Sequence, residues 1–110
     1  MFENNKQIAN SPQASSATIG EESPIVAGAM VVLWGSPPVG TAMLGYDGSY
    51  VILQNTGTVN IELLFNFSLG AGITLYPGAT FECAVAQGLM LFGSVAAGPT
   101  AGEIRGIRFA

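Results

Sequence analysis

Residues 49–93 read SYVILQNTGTVNIELLFNFSLGAGITLYPGATFECAVAQGLMLFG, and they contain neither lysine nor arginine. Short apolar runs alternate in this stretch with turn signals. Successive side chains of a strand point to opposite faces, so Tyr50, Ile52 and Gln54 would share one face and the residues between them the other. Turn signals at intervals of ~8–12 residues are typical of an all-β sandwich or barrel. The stretch therefore predicts an antiparallel β-sandwich, jelly-roll or Ig-like, of about 7–8 short strands.

Three turns are expected to shape this sandwich. Residues 55–58, with the sequence NTGT, have the composition of a tight hairpin turn. The Pro-Gly pair at 77–78 is expected to end a short strand. The Asp-Gly pair at 47–48 is a two-residue hairpin signal between a predicted strand at 41–46 and the strand that follows.

The beginning of the chain differs in composition from the rest. Residues 1–24 are rich in Asn, Gln and Ser and have few large apolar residues, among them Phe2 and Ile8. Such a segment buries too little surface to offset its ordering entropy alone. We therefore expect a flexible N-terminal arm at 1–24, either a free tail or one that orders on a neighbouring subunit through Phe2 and Ile8. The sandwich would occupy residues 25–110, with 25–34 as its opening strand.

The last strand is predicted at 103–109. Strict alternation would place Ile104 on the face opposite Ile107 and Phe109, whereas a bulge at Gly106 would bring all three to one side. Arg105 and Arg108 would then face outward together. This pair of cations is either a solvated edge that discourages strand pairing or the partner of a neighbour's carboxylates.

The four aromatic residues with a polar group allow two interpretations. Trp34, the only tryptophan, is expected either to pack in the core or to form an exposed contact platform beside the turn that follows it. If Trp34 shared one face with Tyr46, Tyr50 and Tyr76, the four rings would suit a carbohydrate.

Scarcity of charge is the most informative feature of the composition. Three basic and seven acidic residues make 9% of the chain, against ~25% in a typical soluble domain. Asp47, Glu62 and Glu82 are the only charged residues between Ser23 and Gly102. Either the surface is neutral and rich in Ser, Thr, Asn and Gly, or much of it faces other subunits, because interface cores are depleted of charge. We favour the second interpretation, which predicts a homo-oligomer or a larger assembly.

Several classes of function are disfavoured by the same composition. A net charge of −4 with three cations gives no basic patch for nucleic acid or for a membrane surface. The single cysteine, Cys83, permits no internal disulfide or metal cluster and is expected to be a small buried hydrophobe. The chain has no histidine for a Ser-His-Asp site, and its glycines fit no phosphate-binding spacing. We expect no enzymatic activity and no cofactor or metal. No signal-peptide pattern is visible, and a framework without disulfides suits folding in the cytoplasm.

Two short motifs carry a resemblance to a known group of proteins. The first is I-x-x-N-x-G, formed by Ile52, Asn55 and Gly57, followed by an apolar strand. The second is G-I-x-L-x-P-G, which begins at Gly72 and ends at Gly78. With the strands after it, this pattern resembles the small β-sandwich virion proteins of tailed bacteriophages, which include head-decoration or cement proteins and minor tail or fibre proteins. The resemblance implies a structural role in a symmetric oligomer, with a trimer favoured, and no cofactor.

These observations together predict a capsid decoration protein. It would be made in the host cytoplasm, reside in the virion and bind the major capsid protein or other virion subunits. The candidate subunit contacts are Phe2, Ile8, Trp34, Arg105 and Arg108. The alternative is a carbohydrate- or cell-surface-binding module of a phage tail or fibre, and a third possibility is a membrane-active protein that inserts residues 83–98.

Overall fold

The computed structural model describes residues 16–37, 40–66 and 72–110. Within these ranges the protein is all-β, with eight strands in two antiparallel sheets of four and no helix, so the predicted β-sandwich is confirmed. The strands are β1 Ala17–Ile25, β2 Met30–Trp34, β3 Tyr50–Asn55, β4 Ile61–Phe65, β5 Ile73–Leu75, β6 Thr80–Ala84, β7 Leu91–Ser94 and β8 Gly102–Phe109.

The strand order is that of a jelly roll. Sheet A has the order β1-β8-β3-β6, and sheet B has the order β2-β7-β4-β5. Among these strands only β4 and β5 are consecutive in the chain and also paired, and every other connection crosses between the sheets. The prediction of hairpins at 47–48 and 55–58 is therefore wrong. The chain does turn after Asn55, but the strands before and after this turn, β3 and β4, belong to different sheets.

The sandwich begins earlier in the chain than the composition suggests. β1 pairs with β8 from Ala17 opposite Phe109 to Ile25 opposite Gly102, so a strand occupies the second part of the expected arm. β1 is an edge strand in which only Ile25 is buried, and its polar composition therefore resembles that of a tail. Residues 1–15, with Phe2 and Ile8, lie outside the described part of the chain.

Residues 25–34 do not form a single strand, because they contain the last residue of β1, a turn and the whole of β2. β1 ends at Ile25, and β2 starts at Met30 in the other sheet. Between them Ala29 N donates to Val26 O at 2.9 Å, and Gly28 has φ +84°, which favours glycine. The turn therefore carries the chain from sheet A to sheet B.

Residues 41–46 do not form the expected strand, because they make only a short run of backbone bonds with β2. Met43 N donates to Val32 O at 2.9 Å, and Leu44 N donates to Leu33 O at 2.8 Å. Leu44 is 1% exposed and fills the space between the sheets. This segment both covers the free edge of β2 and supplies a core side chain.

Two glycines make room for that segment. Gly20 of β1 lies opposite Gly106 of β8 on the inner face of sheet A. A Cβ atom at Gly106 would lie 2.8 Å from Leu44 Cδ1, and one at Gly20 would lie 2.8 Å from Met43 O. The inner faces otherwise meet through apolar side chains, including an edge-to-face contact of Phe65 with Phe81 whose ring centroids are 6.0 Å apart.

Strand β8 pairs on both sides without irregularity near Gly106, so the predicted bulge is wrong. Ile104 and Gly106 face the core, and Arg105 and Ile107 face outward. The sequence of β8 departs from a simple inside-outside pattern because both faces of the strand are apolar. This property creates the surface described next.

Candidate interaction surface

The outer face of sheet A has a row of three isoleucines. In the strand registers Ile107 of β8 lies opposite Ile19 of β1 on one side and Ile52 of β3 on the other. Ile19 is 69% exposed, and the other two side chains are half-buried. We call Ile19, Ile107 and Ile52 the isoleucine row.

A second row extends the apolar area toward the end of the sheet. Ala17, Phe109, Tyr50 and Ala84 lie side by side across β1, β8, β3 and β6. Among them Phe109 and Tyr50 are half-buried. The two rows together expose apolar side chains from all four strands of sheet A, a feature that on a soluble domain marks a contact surface.

Polar residues border the isoleucine row on its other side. Arg105 lies opposite Glu21 on β1 and Gln54 on β3. Its Nε and Nη2 atoms each lie 2.8 Å from Glu21 Oε1. Both side chains are about half exposed, and such pairs contribute only about 0–1 kcal/mol to stability. Arg105 therefore has a carboxylate partner within its own chain, whereas the two interpretations of the sequence were a solvated edge and a neighbour's carboxylate.

Tyr50 sits at the border between the apolar rows and Glu82. Desolvation raises the pKa of the Tyr50 phenol above 10.0, and a hydrogen bond to Glu82 and the charge of Glu82 raise that pKa further. The phenol is therefore neutral at physiological pH. It gives this edge of the surface one hydrogen-bonding group without a charge.

Arg108 does not share a face with Arg105, so the expected outward-facing pair is wrong. Strict alternation places Arg108 on the inner side of β8, next to Thr18, whose Oγ1 accepts a hydrogen bond from Nη2 at 2.8 Å. A Cβ atom at Gly48 would lie 2.7 Å from Arg108 Cγ, so the stem of the arginine lies against that turn. Arg108 thus closes one end of the sandwich.

Trp34 belongs to the core. It is 2% exposed, and its Nε1 donates to Asp47 O at 2.9 Å. This is the packing interpretation, and it leaves little of the ring for contact with another molecule. The other candidate aromatics are dispersed: Tyr46 is 65% exposed near the end of β2, Tyr76 is 61% exposed at the opposite end after β5, and Tyr50 is on sheet A.

Sheet B presents a different outer face. Its central row runs from Met30 through Ser94 and Glu62 to Thr74, and Thr74 Oγ1 donates to Glu62 Oε1. Met30 is 42% exposed. This row is mostly polar. The next row on the same face, Val32, Phe92 and Leu64, is apolar, but Phe92 and Leu64 are only 3% and 8% exposed. In the described part of the chain, the exposed apolar rows therefore lie on sheet A.

Shallow depressions mark the surface in several places. One of about 170 Å³ lies on sheet A and is lined by Ile52, Gln54, Thr80, Arg105, Gly106 and Ile107. Another of about 350 Å³, lined by Trp34, Tyr46, Asp47, Gly48 and Gln87, lies at one end of the sandwich. The described residues include no group of three or more His, Cys, Asp or Glu side chains suited to a metal ion. They also include no helix with the length and hydrophobicity needed to cross a bilayer.

Sequence reasoning did not identify Ile19, Ile52, Ile107 and Phe109 as candidate contacts. Two signals were present. In β3 Ile52 falls on the opposite face from Val51 and Leu53, so both faces of that strand are apolar. In β8 the alternation failed unless a bulge was assumed. Apolar residues on both faces of neighbouring strands are typical of sheets that are covered on both sides.

Comparisons of the chain with protein-family models, curated proteins and solved structures found no match. The resemblance to phage virion proteins therefore remains a prediction from sequence motifs.

Proposed function

We propose that the protein is a non-enzymatic structural subunit that attaches to a larger assembly through the outer face of sheet A. The observation that carries this proposal is the isoleucine row, with Ile19 69% exposed beside half-buried Ile107 and Ile52. Burying apolar surface is the main favourable term in association. The low charge of the chain, 9%, is a second and independent support.

In its most specific form the assembly is the head of a tailed bacteriophage, and the protein is a capsid decoration or cement protein that binds the major capsid protein. The sequence resemblance supports this form. So does the jelly-roll strand order, which recurs in viral capsid domains, although fold alone does not assign function. Repetition over many equivalent sites would turn a modest contact into stable attachment.

The two alternatives have less support from the structure. A carbohydrate platform needs several rings on one surface, and Tyr46 and Tyr76 lie at opposite ends of the sandwich. A membrane-inserting segment at 83–98 would have to release Leu91, Phe92 and Val95, which are at most 3% exposed.

Particle occupancy tests the proposal. We expect wild-type protein to be present at a fixed ratio to the major capsid protein in gradient-purified particles. Ile107→Asp places a charge in the centre of the isoleucine row and should lower the affinity for the particle by about tenfold or more.

Thr58→Asp is the matched control, since it adds the same charge at an exposed turn residue outside the strands of sheet A. It should leave occupancy unchanged. Absence of the protein from particles would contradict the virion assignment, and equal occupancy of folded I107D and wild type would contradict the role of the surface.

A further inference from the structure

We propose that two copies of the chain pair through their β1 strands, antiparallel and with Ile19 on the two-fold axis, so that two copies of sheet A join into one eight-stranded sheet. The inference rests on the proposed function, because it names a second copy of the chain as the partner at the edge of the same surface.

The first step concerns which sheet edges are available. Among the described residues, β1 with its nine residues is the longest strand, and its partner there is β8, on one side. The other edges are short or covered: β5 has three residues, β6 has five, and backbone bonds from Met43 and Leu44 cover β2. A long edge strand with unpaired backbone groups is a template for another strand.

The second step identifies the backbone groups that point to that free edge. Ala110 N donates to Ser16 O at 3.0 Å, so Ser16 and Ala110 form a hydrogen-bonded pair of the antiparallel ladder. Hydrogen-bonded pairs alternate along such a ladder. Thr18 and Gly20 therefore direct their amide and carbonyl groups toward β8, while Ala17, Ile19 and Glu21 direct theirs outward.

The third step fixes the register. With Ile19 opposite its own copy, Ala17 lies opposite Glu21 of the second copy, and all these residues use outward-pointing backbone groups. The side chain of Ile19, which is 69% exposed, then contacts its equivalent, and the two isoleucine rows become continuous.

Charge disfavours the register centred on Glu21. Pairing centred on Glu21 would place two carboxylates directly opposite each other, which is destabilising. In the register centred on Ile19, each Glu21 lies beside an alanine and keeps Arg105 of its own chain as its partner.

The area of the outer face of sheet A also favours the dimer. A four-stranded face about seven residues long covers roughly 450 Å² in projection, from strand spacings of ~4.8 Å and rises of ~3.3 Å. A stable interface takes about 800 Å² per partner. Two joined faces reach that size, whereas one does not.

Cysteine cross-linking tests the register directly. In a Cys83→Ser background, which removes the only native cysteine, Ile19→Cys should form a disulfide-linked dimer on mild oxidation with diamide. Cα atoms of a hydrogen-bonded pair are ~5.5 Å apart, within the range that a disulfide spans.

Ala17→Cys is the matched control, because the two copies of residue 17 would be ~14 Å apart in this register. It should stay monomeric on a denaturing gel, while the double variant A17C/E21C should cross-link. Cross-linking of A17C as efficient as that of I19C would overturn the register.

Ile19→Pro tests the backbone pairing. It removes an amide that points to the free edge and none that bonds to β8, and proline is tolerated at such edge positions. We expect the wild type to have twice the monomer mass by sedimentation, and I19P, with an unchanged circular dichroism spectrum, to have half that of the wild type. A wild-type monomer, a trimer, or a dimer that survives in I19P would overturn the proposal.

The two proposals fail separately. I107D changes a side chain on β8, one strand in from the paired edge, and removes no backbone group of β1. It should therefore keep the dimer mass while losing particle occupancy. A wild-type monomer that still decorates particles would remove the dimer and leave the proposed function in place.

Discussion

Asn55 is the one polar side chain fully buried among the described residues, and its hydrogen bonds explain its position. Its Nδ2 atom donates to Val59 O and to Leu75 O, both at 2.8 Å, and its Oδ1 accepts from Gly57 N at 3.0 Å. A single amide thus links the end of β3, the turn after it and the end of β5. It holds the corner at which the chain passes from sheet A to sheet B.

Replacing Asn55 by alanine should destabilise the fold strongly. The change leaves two carbonyls and one amide without their partner, and we expect a loss of about 3 kcal/mol in the free energy of unfolding. Chemical denaturation measures this loss. Gln54→Ala, at the exposed neighbouring residue, should change stability by less than about 0.5 kcal/mol. A stable N55A protein would show that the corner does not depend on this amide.

The conformation of Asn55 could not be read from the sequence, although the residue was part of a recognised motif. Its turn composition predicted a hairpin, because tight turns and sheet-to-sheet corners use the same residue types. The difference lies in Leu75, which is twenty residues away in the chain. Whether such a turn joins two strands of one sheet or passes between two sheets depends on non-local partners of this kind, and a local sequence pattern does not show them.

At the scale of elements, the strands that alternate clearly were predicted well and the others were not. β3 to β6 follow from apolar periodicity and from the Pro-Gly turn at 77–78. β8 was expected at nearly the right residues, but the assumed bulge placed Ile107, Arg108 and Phe109 on the wrong faces. β1 was missed because its exposed edge position leaves it polar, and 41–46 was wrong because its apolar residues serve the core from a non-strand segment. The apolar surface on sheet A was not predicted, because the bulge assumed at Gly106 placed Ile107 and Phe109 on the same face as Ile104.

The pair of facing glycines, Gly20 in β1 and Gly106 in β8, gives a test at this scale. A methyl group at Gly106 would lie within 3 Å of both Leu44 Cδ1 and Leu53 Cδ2, so Gly106→Ala should overpack the core and cost about 1–3 kcal/mol. The thermal unfolding midpoint should fall accordingly.

Gly98→Ala is the control for this change, since nothing lies within 4 Å of a Cβ atom at that position. It should leave the unfolding midpoint nearly unchanged. If both variants were equally stable, residues 41–46 would not pack against the glycine pair as described.

At the scale of the whole molecule, the jelly roll places two unlike faces on opposite sides. On the outer face of sheet B the more exposed row, from Met30 to Thr74, is mostly polar and the apolar residues Phe92 and Leu64 are buried, whereas the isoleucine row of sheet A is exposed or half-buried across three strands. A truncation designed to test the expected arm should stop before Ala17, because removing residues 1–24 would delete most of β1. The contribution of Phe2 and Ile8 remains a prediction.

Hydroxyl-radical footprinting of the protein, free and bound to purified phage heads, measures the central claim most directly. The account predicts that binding protects Tyr50, Ile107 and Phe109 on sheet A from oxidation, whereas Met30 on sheet B and Tyr76 beyond β5 react at unchanged rates. Equal reactivity of the sheet A residues in both states, or protection confined to Met30 and Tyr76, would contradict it.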